Sequence, residues 1–242
     1  MIPFLLKAIP PHTRYVEAFG GSAEVLLAKP RSREEVYNDV NGYLVNLFMQ
    51  VRDNLEKVQE RLQWLPNSRS LYETWARDFR NGVAPSDPIE QAARYYYVLC
   101  CQFAGRLYAG WAIGRVSWKP RRILKLSEIS SRLQDVMVEC NDFRKVLKTW
   151  DSRDCFMFLD PPYLETASYG QGFTKQDHVD LAEWLMNLKA KWILTLNDHY
   201  MVKKLYKGFH MRPYLTPLSS QKVEKNQHRR QLNNLIISNF KL

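Results

Sequence analysis

The amino-acid sequence predicts an α/β fold, an open sheet flanked by helices with a ligand site along the carboxyl ends of its strands. Three observations predict it. Thr13 to Phe19 reads as a strand that runs into a Gly20-Gly21 turn and then a helix. Glu35 to Asp39 reads as a second strand and ends in an acid about 20 positions past the glycines. Phe156 to Leu159 is a short, apolar, aromatic-rich run that stops at Asp160-Pro161-Pro162-Tyr163. Prolines lack the N–H that a central strand needs, so this strand ends at Asp160 and its carboxylate sits at the sheet edge.

Composition bounds the possibilities. A chain of 242 residues accommodates one large domain or a core with an inserted subdomain. The formal net charge of +10 favours a polyanionic partner such as nucleic acid, through phosphate contacts and counterion release. Cys100, Cys101, Cys140 and Cys155 form no C-x-x-C pair, and three lie in apolar runs. They read as reduced core residues of a cytoplasmic protein. No charged-then-apolar leader opens the chain and no stretch is long enough to span a bilayer, so no membrane is expected. No metal constellation and no nucleophilic Cys-His or Ser-His pair stands out, so no metal is expected either.

The elements follow in order. Met1 to Pro11 reads as the end of a helix, broken by Pro10-Pro11. Past the first strand, Gly20 and Gly21 let backbone approach a ligand. Ser22 is expected to cap a helix over Ala23 to Lys29, whose N-terminus favours a carboxylate. A purely structural glycine turn is the alternative. Asp39 is spaced to accept hydrogen bonds from ribose hydroxyls. It is equally placed to cap the next helix, which starts near Asn41 and carries Leu44, Leu47, Phe48 and Val51 on one face. Asn54 to Leu65 reads as a polar helix, followed by a loop with Pro85 and Pro88 and an apolar helix, Ile89 to Phe103.

The stretch 105–122 holds five basic residues among three glycines, two Trp and a Tyr, with no acid. Basic residues interleaved with aromatics and glycines suit an element that grips DNA phosphates and reaches base edges. Arg106, Arg115, Lys119, Arg121 and Arg122 are the candidates, against a solvated basic loop with its Trp residues packed inward. Ser127 to Leu133 reads as a short helix and Val136 to Glu139 as a strand. Asn141-Asp142-Phe143 closes that strand and opens a helix to Trp150. Asp142 suits either a cofactor's adenine amine, with Phe143 stacked beside it, or a helix cap. Leu164 to Gly172 reads as a loop over the site. Helix Gln176 to Leu188, strand Lys191 to Leu196 and helix His199 to Tyr206 follow. Phe209 to Leu215 and Leu232 to Ser238 read as an antiparallel pair at a sheet edge. The polar segment between them, Ser219 to Gln231, reads as a second DNA-facing loop or a tether.

Asp-Pro-Pro-Tyr has a specific chemical use. The exocyclic amine of a nucleobase is a poor nucleophile, because its lone pair is delocalised into the ring. Methylating it requires acceptors for both N–H hydrogens, so that the lone pair turns towards an electrophilic methyl. A carboxylate oxygen of Asp160 and a carbonyl held rigid by the prolines supply acceptors, and the Tyr163 ring suits stacking on the base. The plain alternative is a strand that ends in a proline turn with a packed tyrosine.

Four motifs in order carry a family resemblance. These are Val16-Glu17-Ala18-Phe19-Gly20-Gly21, Tyr37-Asn38-Asp39, Asn141-Asp142-Phe143 and Asp160-Pro161-Pro162-Tyr163, with Asp177-His178 and Leu196-Asn197-Asp198 beyond them. Together they resemble the Dam-type (D12 class) DNA adenine N6-methyltransferases, particularly the phage and prophage branch. The resemblance implies a Rossmann-like methyltransferase fold, with a mixed seven-stranded sheet formed by 1–53 and 135–242. It implies a helical target-recognition insertion over 54–134. It implies S-adenosyl-L-methionine as cofactor and double-stranded DNA as partner. Asp160, Pro161, Pro162 and Tyr163 match the catalytic motif. Glu17, Phe19, Gly20, Gly21, Asp39, Asp142, Phe143 and Asp160 fall on cofactor-binding positions. Two departures stand out: Ala18 replaces the usual proline, and no Gly-Gly-Lys segment precedes the first helix. They motivate a second expectation, a catalytically impaired DNA-binding relative. A third is an amino-methyltransferase acting on RNA or on cytosine N4, where serine is usual at position 160.

Overall fold

The structure, a computed structural model, describes residues 1–102, 110–112, 118–164, 173–217 and 231–242. Helix α1 (Ile2–Ala8) precedes β1 (Arg14–Glu17), α2 (Glu24–Ala28) and β2 (Glu34–Asn38). Five helices follow: α3 (Gly42–Asp53), α4 (Leu55–Gln63), α5 (Arg69–Arg80), α6 (Pro88–Cys101) and α7 (Arg121–Leu133). The chain then alternates through β3 (Val136–Glu139), α8 (Phe143–Trp150), β4 (Cys155–Leu159), α9 (Lys175–Asn187), β5 (Lys191–Asn197) and α10 (Tyr200–Leu205), and ends with β6 (His210–Pro217) and β7 (Gln231–Ser238). It divides into two compact units, Met1–Val40 with Glu139–Leu242, and Asn41–Val138.

A seven-stranded sheet has the order β3-β2-β1-β4-β5-β7-β6, and all of it but the first three residues of β3 belongs to the first unit. Strands β2, β1, β4 and β5 are parallel, while β7 runs antiparallel to both β5 and β6. From β1 the chain winds outward through β2 to β3, and from β4 it winds the other way. The switch point therefore lies between β1 and β4, where open α/β sheets bind ligands beyond the strand ends. Glu17 sits opposite Phe158 in this register, so the glycine turn and Asp160 leave the sheet side by side. Every residue of β4 is buried, as expected of a central parallel strand covered on both faces. Its core joins Val16, Met157 and Leu159 to Trp192 and Leu194, with Leu147, Leu181 and Leu185 from the covering helices.

The second unit is helical, with an aromatic core. Trp75, Tyr97 and Trp118 pack at its centre, with Tyr72, Phe79 and Tyr95 nearby. Two aromatic side chains of this unit donate to backbone: Tyr96 to the Arg122 carbonyl at 2.7 Å and Trp118 to that of Leu65 at 3.0 Å. This unit is wider than the expected insertion 54–134, because α3 belongs to it.

Two elements differ from expectation. The loop expected before Pro85 contains α5, whose apolar residues Tyr72, Trp75, Ala76 and Phe79 recur at helical spacing and are buried. Ser68 accepts a hydrogen bond from the Leu71 amide and so caps it. Helix α7 starts at Arg121 rather than Ser127, so Arg121 and Arg122 occupy its first turn rather than a loop. Cys100, Cys101 and Cys155 are buried and Cys140 is exposed, and all four are free thiols.

Candidate active site

Two turns leave the sheet at its switch point. After β1, the glycine turn depends on backbone freedom. The Gly20 N–H donates to the Asn38 carbonyl at 2.7 Å. The Gly21 N–H donates to Asp39 Oδ2 at 2.9 Å, and the Tyr37 hydroxyl donates to the Gly21 carbonyl at 2.8 Å. A Cβ on Gly20 would lie 2.2 Å from the Tyr37 ring, so only glycine lets the backbone cross there. Ser22 does not cap the helix: α2 starts at Glu24, and its N-cap is Ala23 in a left-handed conformation with φ 56°. Asp39 does not cap the next helix either. Asn41 does so, accepting from the amides of Tyr43 and Leu44. Asp39 is half-buried and braces the glycine turn through one oxygen.

Glu17 is almost fully buried. Its Oε1 accepts from the Tyr15 hydroxyl at 2.6 Å and from the Leu26 amide at 2.7 Å, tying the end of β1 to α2. Burial pushes its carboxyl up to about 7, against the pull of those two hydrogen bonds and with the neighbouring Asp160 adding to the rise. Asn38, also buried, stitches three segments together. Its amide donates to the carbonyls of Ala18 and Asn141, and its oxygen accepts from the Asn141 N–H at 2.8 Å.

The turn after β4 depends on rigidity. Asp160 reaches solvent, yet protein crowds it from the sides. The resulting desolvation pushes its carboxyl up to about 6, while hydrogen bonds from Thr195 and Tyr163 pull it down. Water at its open face moderates that shift. The Thr195 hydroxyl of β5 donates to Asp160 Oδ1 and fixes the carboxylate. Pro161 is buried and Pro162 half-buried. Tyr163 is half-buried, packs against the core, and holds its hydroxyl 3.3 Å from that of Tyr214 on β6. Next in the chain, Leu164 is held by Asn197. The Leu164 N–H donates to Asn197 Oδ1 at 3.1 Å and the Leu164 carbonyl accepts from Nδ2 at 3.0 Å.

The third strand end is more committed to structure than expected. Asp142 caps α8 by accepting from the Arg144 amide at 2.9 Å. Its other oxygen pairs with the Arg144 guanidinium, which also holds Asp177 and Asp180. Phe143 is buried in the core. Phe19 and Phe173 pack on it with ring centroids 5.3 and 5.6 Å away, and on each other at 5.5 Å, so the three rings form a triangle. The half-buried rings of Phe19 and Phe173 form the outer part of this aromatic cluster.

Of the expected DNA contacts, Arg106 and Arg115 lie outside the described residues, as do most of the expected loop after Leu164 and the polar segment between β6 and β7. Arg121 is exposed and Lys119 half-buried. Arg122 is half-buried and hydrogen-bonds the Cys100 thiol, so part of it serves the fold. Helix α7 has no acid in its first turn. Arg121 and Arg122 there add to the positive end of the helix dipole instead of balancing it, which concentrates positive potential at one point. Among the described residues, no group of three or more His, Cys, Asp or Glu side chains is placed to hold a metal. No helix among them is long and apolar enough to cross a membrane.

Sequence reasoning does not single out Thr195, His178, Phe173 or Tyr214 as site residues. Thr195 carries a signal, as the one polar residue inside the apolar run Trp192-Ile193-Leu194-Thr195-Leu196.

A sheet of this order, with an antiparallel final pair and an Asp-Pro-Pro-Tyr turn beside a glycine turn at its switch point, defines a Rossmann-like methyltransferase. The chain belongs to the D12 class of N6 adenine-specific DNA methyltransferases, whose family model matches residues 1–214. The type II methyltransferase M1.LlaDCHI of Lactococcus lactis subsp. cremoris is 26% identical, over 99% of this chain and 91% of its own. The type II methyltransferase M.CviBI of Paramecium bursaria Chlorella virus NC1A is 24% identical, over 81% of this chain and 77% of its own. The retron Ec67 DNA adenine methylase of Escherichia coli is also 24% identical, over 85% of this chain and 76% of its own. The protein is thus an adenine-specific DNA methyltransferase, as the motif order implied.

Proposed function

We propose that the enzyme methylates N6 of an adenine turned out of double-stranded DNA, with S-adenosyl-L-methionine as donor and Asp160 to Tyr163 as the reaction site. The observation that carries this reading is the fixed carboxylate of Asp160, held by Thr195 beside the glycine turn at the switch point. The residues suit the cofactor. Asp39 is the proposed acceptor for ribose hydroxyls and braces Gly21, which has open space where a side chain would stand. Phe19 presents an aromatic edge for an adenine ring. Asp142 and Phe143 contribute from behind, the first through its exposed carboxylate and the second by backing Phe19. Glu17 acts by holding α2 against β1. The bound cofactor supplies the electrophilic methyl group.

The chain's own residues do the rest. Ionised Asp160 accepts one N6–H and the Pro161 carbonyl accepts the other, which turns the lone pair out of conjugation. Tyr163 flanks the base. The N6 proton released on methyl transfer passes to the Asp160 carboxylate and then to solvent. A pKa near 6 suits this acceptor at neutral pH. Turning the adenine out of the duplex costs a few kcal/mol, which protein–phosphate contacts offset. Lys119, Arg121 and Arg122, with Arg106 and Arg115, are the proposed phosphate contacts, and 41–138 the proposed recognition unit.

The test is methyl transfer from labelled S-adenosylmethionine to duplex DNA, with N6-methyladenine identified in the product. Asp160→Ala is expected to lower turnover by at least about 10²–10³-fold with the fold intact. Near-native turnover in that variant would overturn the site. Replacing Lys119, Arg121 and Arg122 by Ala is expected to weaken DNA binding. Each phosphate interaction removed should flatten the salt dependence by about one unit of slope. An unchanged slope moves the DNA surface elsewhere.

A further inference from the structure

The reaction turn has an unusual deficit. Pro161 and Pro162 carry no N–H, so two consecutive residues donate no backbone hydrogen bond that could hold the turn in place. Its carbonyls must nevertheless keep a fixed direction, because one of them serves as an acceptor in the reaction. Side chains from outside the turn supply the missing donors. Asn197, at the end of β5, grips both the N–H and the carbonyl of Leu164. His178, on α9, forms a hydrogen bond with the Pro162 carbonyl. The ring is almost fully buried and meets Phe173 edge-on at 4.7 Å. Packing alone would be served as well by an apolar ring, which would leave no buried polar atom to satisfy.

We infer that His178 and Asn197 are positioning residues for methyl transfer: an imidazole and a carboxamide clamp the Asp-Pro-Pro-Tyr turn at Pro162 and Leu164. The clamp fixes the peptide planes on either side of Tyr163. It thereby sets both the direction of the turn's carbonyls and the pose of the tyrosine ring. Burial keeps the imidazole uncharged through the working pH range, which preserves one donor and one tautomer. Neither residue is assigned any contact with the reacting atoms. The inference rests on the reading of Asp160 to Tyr163 as the reaction site.

The experiment compares kcat, KM for DNA and S-adenosylmethionine binding in His178→Leu, His178→Gln, Asn197→Ala and Asp160→Ala. His178→Leu is expected to lower kcat roughly 10–100-fold, because small misplacements of reacting groups cost that much, with cofactor binding within about twofold. His178→Gln is expected to restore most of kcat, since its amide can donate to the Pro162 carbonyl. Asn197→Ala is expected to lower kcat in the same way. Full kcat in folded His178→Leu overturns the clamp, as does a failure of His178→Gln to exceed His178→Leu. An active Asp160→Ala instead overturns the site itself, so the two failures are distinguishable. If a variant does not fold, ¹⁵N spectroscopy of the unmodified enzyme decides. A single fixed neutral tautomer at His178 from pH 8 to pH 5 supports the clamp, and a mixture of tautomers or an imidazolium in that range overturns it.

Discussion

The turns after β1 and β4 leave neighbouring strands at the same sheet edge and solve opposite problems. The glycine turn must let backbone come close to something else. It uses residues without side chains, and Tyr37 and Asp39 brace it from β2 and its end. The proline turn must keep acceptors from moving. It uses residues without backbone donors, and Thr195, Asn197 and His178 hold it from β5 and α9. A ligand-binding edge thus divides its work: open backbone where a ligand is received, locked backbone where chemistry is done.

That division is tested most severely by altering the carboxylate at each turn. Asp160→Asn keeps the size of the side chain and an oxygen for Thr195, but replaces an acceptor by a donor facing the amine. Turnover is expected to fall by about 10²–10³-fold with cofactor binding little changed. Asp39→Asn should instead raise KM for S-adenosylmethionine roughly tenfold and spare most of kcat, since the charged acceptor for ribose is removed. Steady-state kinetics on both variants tests the split, and equal losses of kcat would dissolve it.

Substitutions of the glycines come next. Gly20→Ala drives a Cβ into the Tyr37 ring and is expected to cost about 1–3 kcal/mol of stability. Gly21→Ala meets no atom within 4 Å but adopts φ +48°, and is expected to cost about 1 kcal/mol. Denaturant unfolding ranks them, and the reverse order would show that Tyr37 yields easily.

Two pH effects are smaller and have opposite meanings. Asp160 must be ionised to accept from the amine, so kcat/KM should fall as pH drops below about 6. A flat profile down to pH 5 would sink that requirement. Glu17 concerns stability. Its folded pKa, about 7, lies above the ordinary value of 4.5, so the folded state binds more protons between those limits. Its contribution is therefore present below pH 4.5 and lost as pH rises through 7. Glu17→Gln should flatten stability across that window, a change of at most about 3 kcal/mol read from unfolding midpoints at pH 5 and pH 8.

Much of the first unit is legible in the sequence because its strands are short apolar runs that end in polar or glycine turns. Phe156 to Leu159 with its two prolines leaves no other place to stop. The partners of the turn are harder to see. His178 lies 16 positions beyond Pro162, and Thr195 lies 35 positions beyond Asp160. Only the sheet register and the packing of α9 bring them to the turn. Ser22 misleads because serine before a helix is a good cap, yet the turn needs Ala23 in a left-handed conformation and pushes the helix start to Glu24. Helix α5 escapes notice although its stripe of Tyr72, Trp75 and Phe79 is present, because the prolines beyond it draw the segment into a loop. The role of Asp142 stays open in the sequence, and the structure commits one of its oxygens to a cap and the other to Arg144.

The paired prolines also decide how this edge can be observed. Positions 161 and 162 give no amide signal, so the chemistry-bearing turn is spectroscopically dark along its own backbone. Two residues beyond Pro162, the amide of Leu164 is bound to Asn197 Oδ1. Its exchange rate with deuterated solvent therefore serves as a gauge of how tightly the turn is held.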